Sequence, residues 1–427
     1  MSRAKITSIR RSRLTRLFVS PAREWVWLFY SEFLPFRAGQ PRSLKRWVII
    51  VPGLLLFAAV QLVNWLGLIL DEILYPGYRR VDIREPLFIL GVPRSGTTHL
   101  HRVLAELPDT TTLKTWEGFF APSVSQRKLF GVLKVVDGFL GSPMKRLLNL
   151  AENRLMSGLD GIHKTRLSDA EEDYLTLLPA MRCFVLAIIF PQSRLAWEMG
   201  RFDTDISASC QNDLLDFYTA CLQKHLYVNG TDKRLLSKNA AFASLAGALA
   251  ERFQDARFIC CLRDPSEALP SQLSSIDATV RALGSDPMGD LYPQRFESLY
   301  RHYYEHLATS FPQRANARLG YVYMRELQQN LAATLEPLLT RLEIDTDERF
   351  QHRLKVLDSE SRSYRSQHRY GSVNVACSDE FRKRFAAAYA AFSFETEKED
   401  GQSRPASPWN PNYRREANED GQPVAAS

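Results

Sequence analysis

The sequence predicts an α/β protein: a P-loop-like parallel β-sheet flanked by helices, with an N-terminal hydrophobic helical extension. Three observations carry this. Leu87-Phe88-Ile89-Leu90-Gly91-Val92 is a continuous apolar run of the kind a strand buried on both faces requires. It leads through a glycine-containing loop into Leu100, Val103, Leu104 and Leu107 at helical spacing. A second unit repeats the grammar: Phe242, Leu245, Leu249 and Phe253 mark a helix face ahead of the apolar run Phe258-Ile259-Cys260-Cys261-Leu262. A third apolar stretch, Leu319–Tyr323, precedes Leu331, Leu335, Leu338 and Leu342, again at helical spacing. Strands alternating with helices point to a parallel sheet.

Composition sets the limits. The chain has 427 residues, 45% hydrophobic and 24% charged, enough apolar material for a full core. That excludes a wholly disordered chain, a collagen-like repeat and a multi-span membrane protein. The net charge of +7 is unevenly placed. Residues 1–46 hold eleven basic and two acidic residues, a net of +9, so the remainder carries −2. A nucleic-acid-binding body loses its main support. Six cysteines, none in a CxxC pair, suit reduced and mostly buried thiols.

The N-terminal segment asks for its own account. Trp47 to Leu70 contains no charge over 24 residues, or roughly 36 Å of helix, the length of a bilayer crossing. Ahead of it Leu14, Leu17 and Phe18 fall at helical spacing among Arg10, Arg11, Arg13 and Arg16, a pattern suited to an anionic membrane surface. The apolar run starts too late for a cleavable signal peptide. Pro52-Gly53, Gln61 and Asn64 support the competing reading, a hydrophobic helical hairpin packed on the body. Residues 1–85 are therefore expected to be a membrane-associated segment, 86–395 the main domain, and the polar, proline-bearing 396–427 a disordered tail. Basic residues before the apolar run favour a cytoplasmic N-terminus. A single span then places the body across the membrane, whereas a bacterial enzyme with a cytoplasmic body needs an interfacial segment.

The loop after the first strand, Gly91-Val92-Pro93-Arg94-Ser95-Gly96-Thr97-Thr98, has the makings of an anion cradle. Glycine lets the backbone approach a ligand, loop amides point inward, and the helix N-terminus adds a positive dipole end. It departs from the nucleotide-kinase loop because Thr97 stands where lysine normally follows the glycine, while the cation is Arg94. PRSGTT between a strand and a helix resembles the 5′-phosphosulfate loop of sulfotransferases that use 3′-phosphoadenosine 5′-phosphosulfate (PAPS), in particular the bacterial and tyrosylprotein branches. The second apolar run ends in Arg263-Asp264-Pro265, with Ser271 eight residues after the arginine. This resembles the 3′-phosphate motif of the same superfamily. Further matches are Lys238 in Leu235–Asn239, with Ala240 in place of a proline, the segment Tyr321–Leu327 in a slipped register, and His368-Arg369-Tyr370.

The resemblance implies transfer of a sulfuryl group from PAPS to a hydroxyl acceptor such as a lipid, saccharide or small alcohol, with no metal required. It implies that Arg94, Ser95, Gly96, Thr97, Thr98, Arg263 and Ser271 bind the donor. It also implies that Arg94 and Lys238 neutralise the leaving group. Glu117, in Lys114-Thr115-Trp116-Glu117, lies where the tyrosylprotein branch carries its base; His99, His101 and Glu171-Glu172-Asp173 are the competing candidates. Two other functions are kept open, a P-loop nucleotide kinase and a membrane-anchored non-catalytic nucleotide-binding protein. His302-Tyr303-Tyr304-Glu305-His306 also reads as HxxEH, a remote zinc-hydrolase pattern. The expected partners are the acceptor and an anionic membrane surface, with no nucleic acid.

Overall fold

The computed structural model describes residues 21–32, 44–157, 167–286, 289–315, 318–363 and 379–394. The arginine-rich stretch around Arg10–Phe18, His368-Arg369-Tyr370 and the tail from 396 lie outside the described residues.

Five strands, β1 (Leu87–Gly91), β2 (Thr110–Thr111), β3 (Arg234–Lys238), β4 (Arg257–Leu262) and β5 (Leu319–Tyr323), form one sheet in the order β2-β3-β1-β4-β5. Every pairing is parallel. The predicted architecture is therefore the observed one, with two strands more than the apolar runs announce. In β1 and β4 every residue is buried, and alternate side chains enter two separate cores. Phe88, Leu90, Phe258, Cys260 and Leu262 face one, while Leu87, Ile89, Ile259 and Cys261 face the other. Period-two alternation with both faces apolar explains why these runs carry no polar relief.

The helices that matter for the site and for the surface are, in chain order, α1 (Leu44–Leu74), α2 (Thr97–Leu104), α3 (Thr115–Phe120), α4 (Val124–Phe139), α5 (Pro143–Ser157), α6 (Ala208–Asn229), α7 (Ala246–Arg252), α8 (Pro265–Leu283) and α9 (Leu291–Ala308). The expected helix through Phe242–Phe253 begins as a 3-10 turn, Ala240–Leu245, before it becomes α7.

The apolar run Trp47–Leu70 lies within one helix, α1, with no break at Pro52-Gly53, and a helix at residues 21–32 packs on it through Trp25 and Phe57. Pro52 sits on the exposed side of α1. One stripe of α1 is buried along its length, at Arg46, Ile50, Leu54, Gln61, Asn64, Leu68 and Asp71, a three-to-four-residue spacing that keeps them on one face. Polar members of the stripe tie it to the body. Arg46 donates to Ser285 Oγ at 3.0 Å and to the Leu283 and Ile189 carbonyls at 3.1 and 3.2 Å, and it also pairs with Glu32 of residues 21–32 at 2.8 Å. Asn64 donates to the Phe119 carbonyl at 3.0 Å and accepts from Gln126 at 2.8 Å. At the other end Asp71, fully buried, accepts from the backbone amides of Val124 and Ser125, each at 2.8 Å, and from Lys224 Nζ at 2.9 Å. The end of α1 thus caps the start of α4, satisfying amides that a helix N-terminus otherwise leaves open.

Candidate functional site

Because all five strands run the same way, the residues that follow β1, β3 and β4 emerge at one edge of the sheet, the edge where open α/β sheets bind ligands. β1 leaves through Gly91, whose φ is +136°; an added Cβ there would lie 2.1 Å from the carbonyl oxygen of Cys261 on β4. Only glycine lets the two strands stay paired at that point. The loop then turns through Arg94 and Gly96, both in left-handed conformations at φ of 68° and 91°, and Gly96 caps α2. Ser95, fully buried, donates its hydroxyl to the Val92 carbonyl at 2.7 Å and clasps the loop. Thr97 and Thr98 open the helix, so their amides belong to its electropositive first turn.

The two halves of the predicted signature meet here. Arg94 Nε donates to Ser271 Oγ at 3.2 Å, and Arg263 Nη1 donates to the Arg94 carbonyl at 3.2 Å. Arg263 also pairs with Glu267 at 3.0 Å, one turn along α8, and Glu267 in turn holds Arg325 at 2.6 Å. Burial alone would raise the Glu267 pKa, but the two arginines outweigh it and hold the carboxyl below its usual range. Asp264 caps α8 by accepting from Ser266 N at 2.8 Å. Ser271 is buried beside these groups.

Lys238 ends β3, in register with Ile89 of β1. Its side chain is 2% exposed, and Nζ lies 3.3 Å from Thr98 Oγ1, 3.0 Å from Glu171 Oε1 and 3.2 Å from Glu172 Oε1. Burial opposes its charge, yet Glu172 and Glu171 overcome that cost and raise its pKa above the normal lysine value. Burial likewise raises the Glu172 pKa, against the pull of Lys238. The cation is thus buried, charged and aimed at the first turn of α2. Asn239 closes the strand end, donating its amide to the Ile89 carbonyl at 2.9 Å.

Glu117 sits elsewhere in the hydrogen-bond network. Its carboxylate accepts from the Lys114 amide at 2.9 Å and lies 3.6 Å from Arg127, in a pocket completed by His225. His225 Nδ1 lies 3.1 Å from Arg127 Nη1 and 3.2 Å from Asn229 Nδ2, and burial lowers the pKa of its imidazole. Burial would raise the Glu117 pKa, but Arg127 and these hydrogen bonds bring it down to about 2. A folded value below the unfolded one stabilises the protein above the unfolded pKa, and that stabilisation fades as pH falls toward the folded pKa. Glu117→Gln is therefore expected to cost about 3 kcal/mol at pH 7, measured by urea unfolding. The gap from wild type should narrow steadily below pH 4.5; a gap independent of pH would show that charge plays no part.

Of the other base candidates, His101 is fully buried with Nε2 at 2.7 Å from Thr112 Oγ1, and burial followed by Lys238 lowers its pKa to about 3. His99 contacts Ser361 at 3.1 Å. Asp173 is buried and accepts from Tyr218 at 2.7 Å; burial pushes its pKa up to about 7. Glu171 and Glu172 alone among these stand on Lys238.

The HxxEH pattern lies on α9, with His302 and His306 at 2.7 and 2.9 Å from the two oxygens of Asp203, while Glu305 is exposed on the other side. The same helix does something the sequence reasoning missed. Tyr300 donates to the Pro93 carbonyl at 2.8 Å, and Tyr304 donates to the Arg263 carbonyl. One buried aromatic face tethers both the loop after β1 and the loop after β4. Tyr321 donates to the Leu307 carbonyl at 2.7 Å, and Glu326 accepts from the Tyr323 amide, so both serve local structure. Arg325 and Glu267 were also missed as a linked pair. Their signal is the i to i+4 spacing of Arg263 and Glu267 on a helix start, which is common enough to pass unnoticed.

A strand–loop–helix turn with an arginine and a buried lysine at the C-terminal edge of a parallel sheet is a P-loop-like arrangement. The particular family follows from comparison. The sulfotransferase family model matches residues 86–348, and the chain belongs to that family of transferases. Among solved structures, sulfotransferase STF1 from Mycobacterium tuberculosis H37Rv superposes with a TM-score of 0.66 over 86% of this chain and 92% of its own, at 16% identity. Sulfotransferase STF9 from Mycobacterium avium gives 0.58 over 76% and 80%, at 18% identity. These likenesses establish the fold. No curated protein sequence matches the chain.

Proposed function

We propose that the protein transfers a sulfuryl group from PAPS to a hydroxyl acceptor. The observation that carries this is the joining of two separated motifs at one sheet edge, Arg94 to Ser271 and Arg263 to the Arg94 carbonyl. The residues present fit a donor with two anionic ends. In this reading the Gly96–Thr98 amides and Arg94 hold the 5′-phosphosulfate end. Ser95 contributes its amide, since its hydroxyl is committed to Val92. Arg263 and Ser271 hold the 3′-phosphate. Lys238 and Arg94 neutralise the charge that develops on the leaving phosphate oxygen, which removes the need for a metal.

The acceptor proton needs a carboxylate next to the reacting centre. The Glu171-Glu172 pair, on Lys238, suits that work better than Glu117, whose low pKa and saturated contacts make it a weak base. Glu117 then acts as a positioning residue, fixing Lys114, whose backbone bridges to Ala170 beside the acidic pair.

The test is transfer of radiolabelled sulfate from PAPS across a panel of lipid, saccharide and small-alcohol acceptors, with calorimetric binding of the product 3′-phosphoadenosine 5′-phosphate (PAP). Arg263→Ala should raise KM for PAPS by about 10- to 100-fold with kcat changed little, as expected for lost charge-assisted contacts made equally in ground and transition states. A protein that neither binds PAP nor labels any acceptor overturns the reading.

A further inference from the structure

Among the described residues, apolar exposure is concentrated in one region. Of thirty large hydrophobic side chains exposed among the described residues, twenty-seven lie on residues 21–32, on α1, or on the helical hairpin formed by α4 and α5. The hairpin stands away from the body. From Lys128 to Leu150 every residue is exposed except Asp137 and Ser142. Exposure peaks at the tip, 88% at Phe139 and 71% at Leu140. Yet the hairpin is built with care: Asp137 accepts from the amides of Met144 and Lys145 at 2.8 and 3.1 Å, capping α5 and closing the turn. A monomer in water rarely exposes a patch of this extent.

Charge and attachment identify what covers it. The exposed span 128–150 carries Lys128, Lys134, Lys145 and Arg146 against Asp137 alone, a net of +3, and the sequence of residues 1–46 adds +9. Two copies meeting face to face would set these charges against each other, whereas an anionic lipid surface complements them. α1 is long and apolar enough to cross a bilayer, but leaving the body would strip the buried Arg46 from Ser285 and the Leu283 and Ile189 carbonyls, and the buried Asp71 from Lys224. Unpaired charges of that kind are costly in protein and in hydrocarbon alike. α1 therefore presents only its outer face. The free part of α4, residues 128–139, rises about 18 Å, well short of the roughly 30 Å hydrocarbon core.

We propose that this face is a monotopic docking platform, in which the α4–α5 hairpin inserts into one leaflet of an anionic membrane and α1 lies along its surface without crossing it. The platform is coupled to the catalytic side: Phe130 of α4 packs 5.8 Å from Trp116 of α3, and Trp65 of α1 donates to the Pro179 carbonyl at 3.0 Å.

The test uses the full chain with preformed vesicles of phosphatidylcholine and phosphatidylglycerol, read by flotation. Wild type should float, and a Val136→Asp/Phe139→Asp double variant should float at least about tenfold less. PAP binding and the unfolding midpoint report separately that the variant is folded and that the donor assignment stands. In a second variant, Phe139→Trp, the fluorescence gained over wild type should be quenched by lipids brominated along the acyl chains. Four results would each overturn the proposal. They are wild type that stays at the bottom of the gradient, a double variant that floats equally well, no quenching of the indole added by Phe139→Trp, or a dimer abolished by the double substitution without any flotation.

Discussion

Replacing Lys238 with methionine should lower kcat by about 10³-fold while changing PAP affinity much less. The magnitude is that of losing one preorganised charge aimed at a developing oxyanion in a dry site. The physical reason lies in where the ammonium sits: buried, 3.3 Å from Thr98 at the start of α2, and kept charged by Glu171 and Glu172. A substrate-binding contact would show mainly in KM, so the split between kcat and KM separates the roles. The pH profile gives a second readout. Glu172 already titrates above its usual range because of burial, and Lys238 opposes that rise. If the acidic pair is the base, activity climbs as pH rises through its apparent pKa, and removing the lysine moves that limb to higher pH. An unchanged limb in Lys238→Met, or a kcat within tenfold of wild type, would sink the assignment.

Gly91→Ala should destabilise the protein by about 4 kcal/mol or more, among the largest effects a single methyl group can have. The new Cβ would lie 2.1 Å from the Cys261 carbonyl oxygen, a backbone atom of the neighbouring strand, and φ at +136° is poorly tolerated by alanine. Relief requires separating β1 from β4, the central pair of the sheet and the source of the loops that carry Arg94 and Arg263. Gly96→Ala is the instructive contrast. Its Cβ would meet only Met324 and Leu327 side-chain atoms at 3.5 Å, so the cost comes from φ alone. Urea unfolding should therefore rank Gly91→Ala well below Gly96→Ala in stability; the reverse order would mean the strands yield more easily than their pairing implies.

How far the sequence could be read varies by element. β1 and β4 were legible because burial on both faces forces a continuous apolar run. β3 was not, although it lies beside β1. Its residues Arg234-Leu235-Leu236-Ser237-Lys238 end in a serine and a lysine whose buried polar contacts interrupt the apolar run that would announce a strand. β2 is two residues long and leaves no pattern at all. Among site residues, Arg94, Arg263 and Ser271 are legible from their two motifs, whereas the contacts of Arg94 with Ser271 and of Arg263 with the Arg94 carbonyl join residues far apart in the chain. The tyrosines of α9 could not be found this way, because an aromatic stripe on a helix looks the same whether it fills a core or ties down a loop.

The sequence by itself determined the parallel α/β architecture, the glycine-containing loop between β1 and α2, the Arg263–Ser271 segment after β4, and the concentration of positive charge ahead of a long apolar segment. These are local: each is written in a run of neighbouring residues whose period, spacing or charge states its purpose. Only the tertiary structure decided which carboxylates stand on Lys238, that Glu117 is saturated by Arg127 and a backbone amide, and that α1 is bound to the body through Arg46, Asn64 and Asp71. Each of those outcomes depends on partners distant in sequence. A hydrophobic helix reads alike whether lipid or protein covers it, until the buried charges on one face show what it cannot leave.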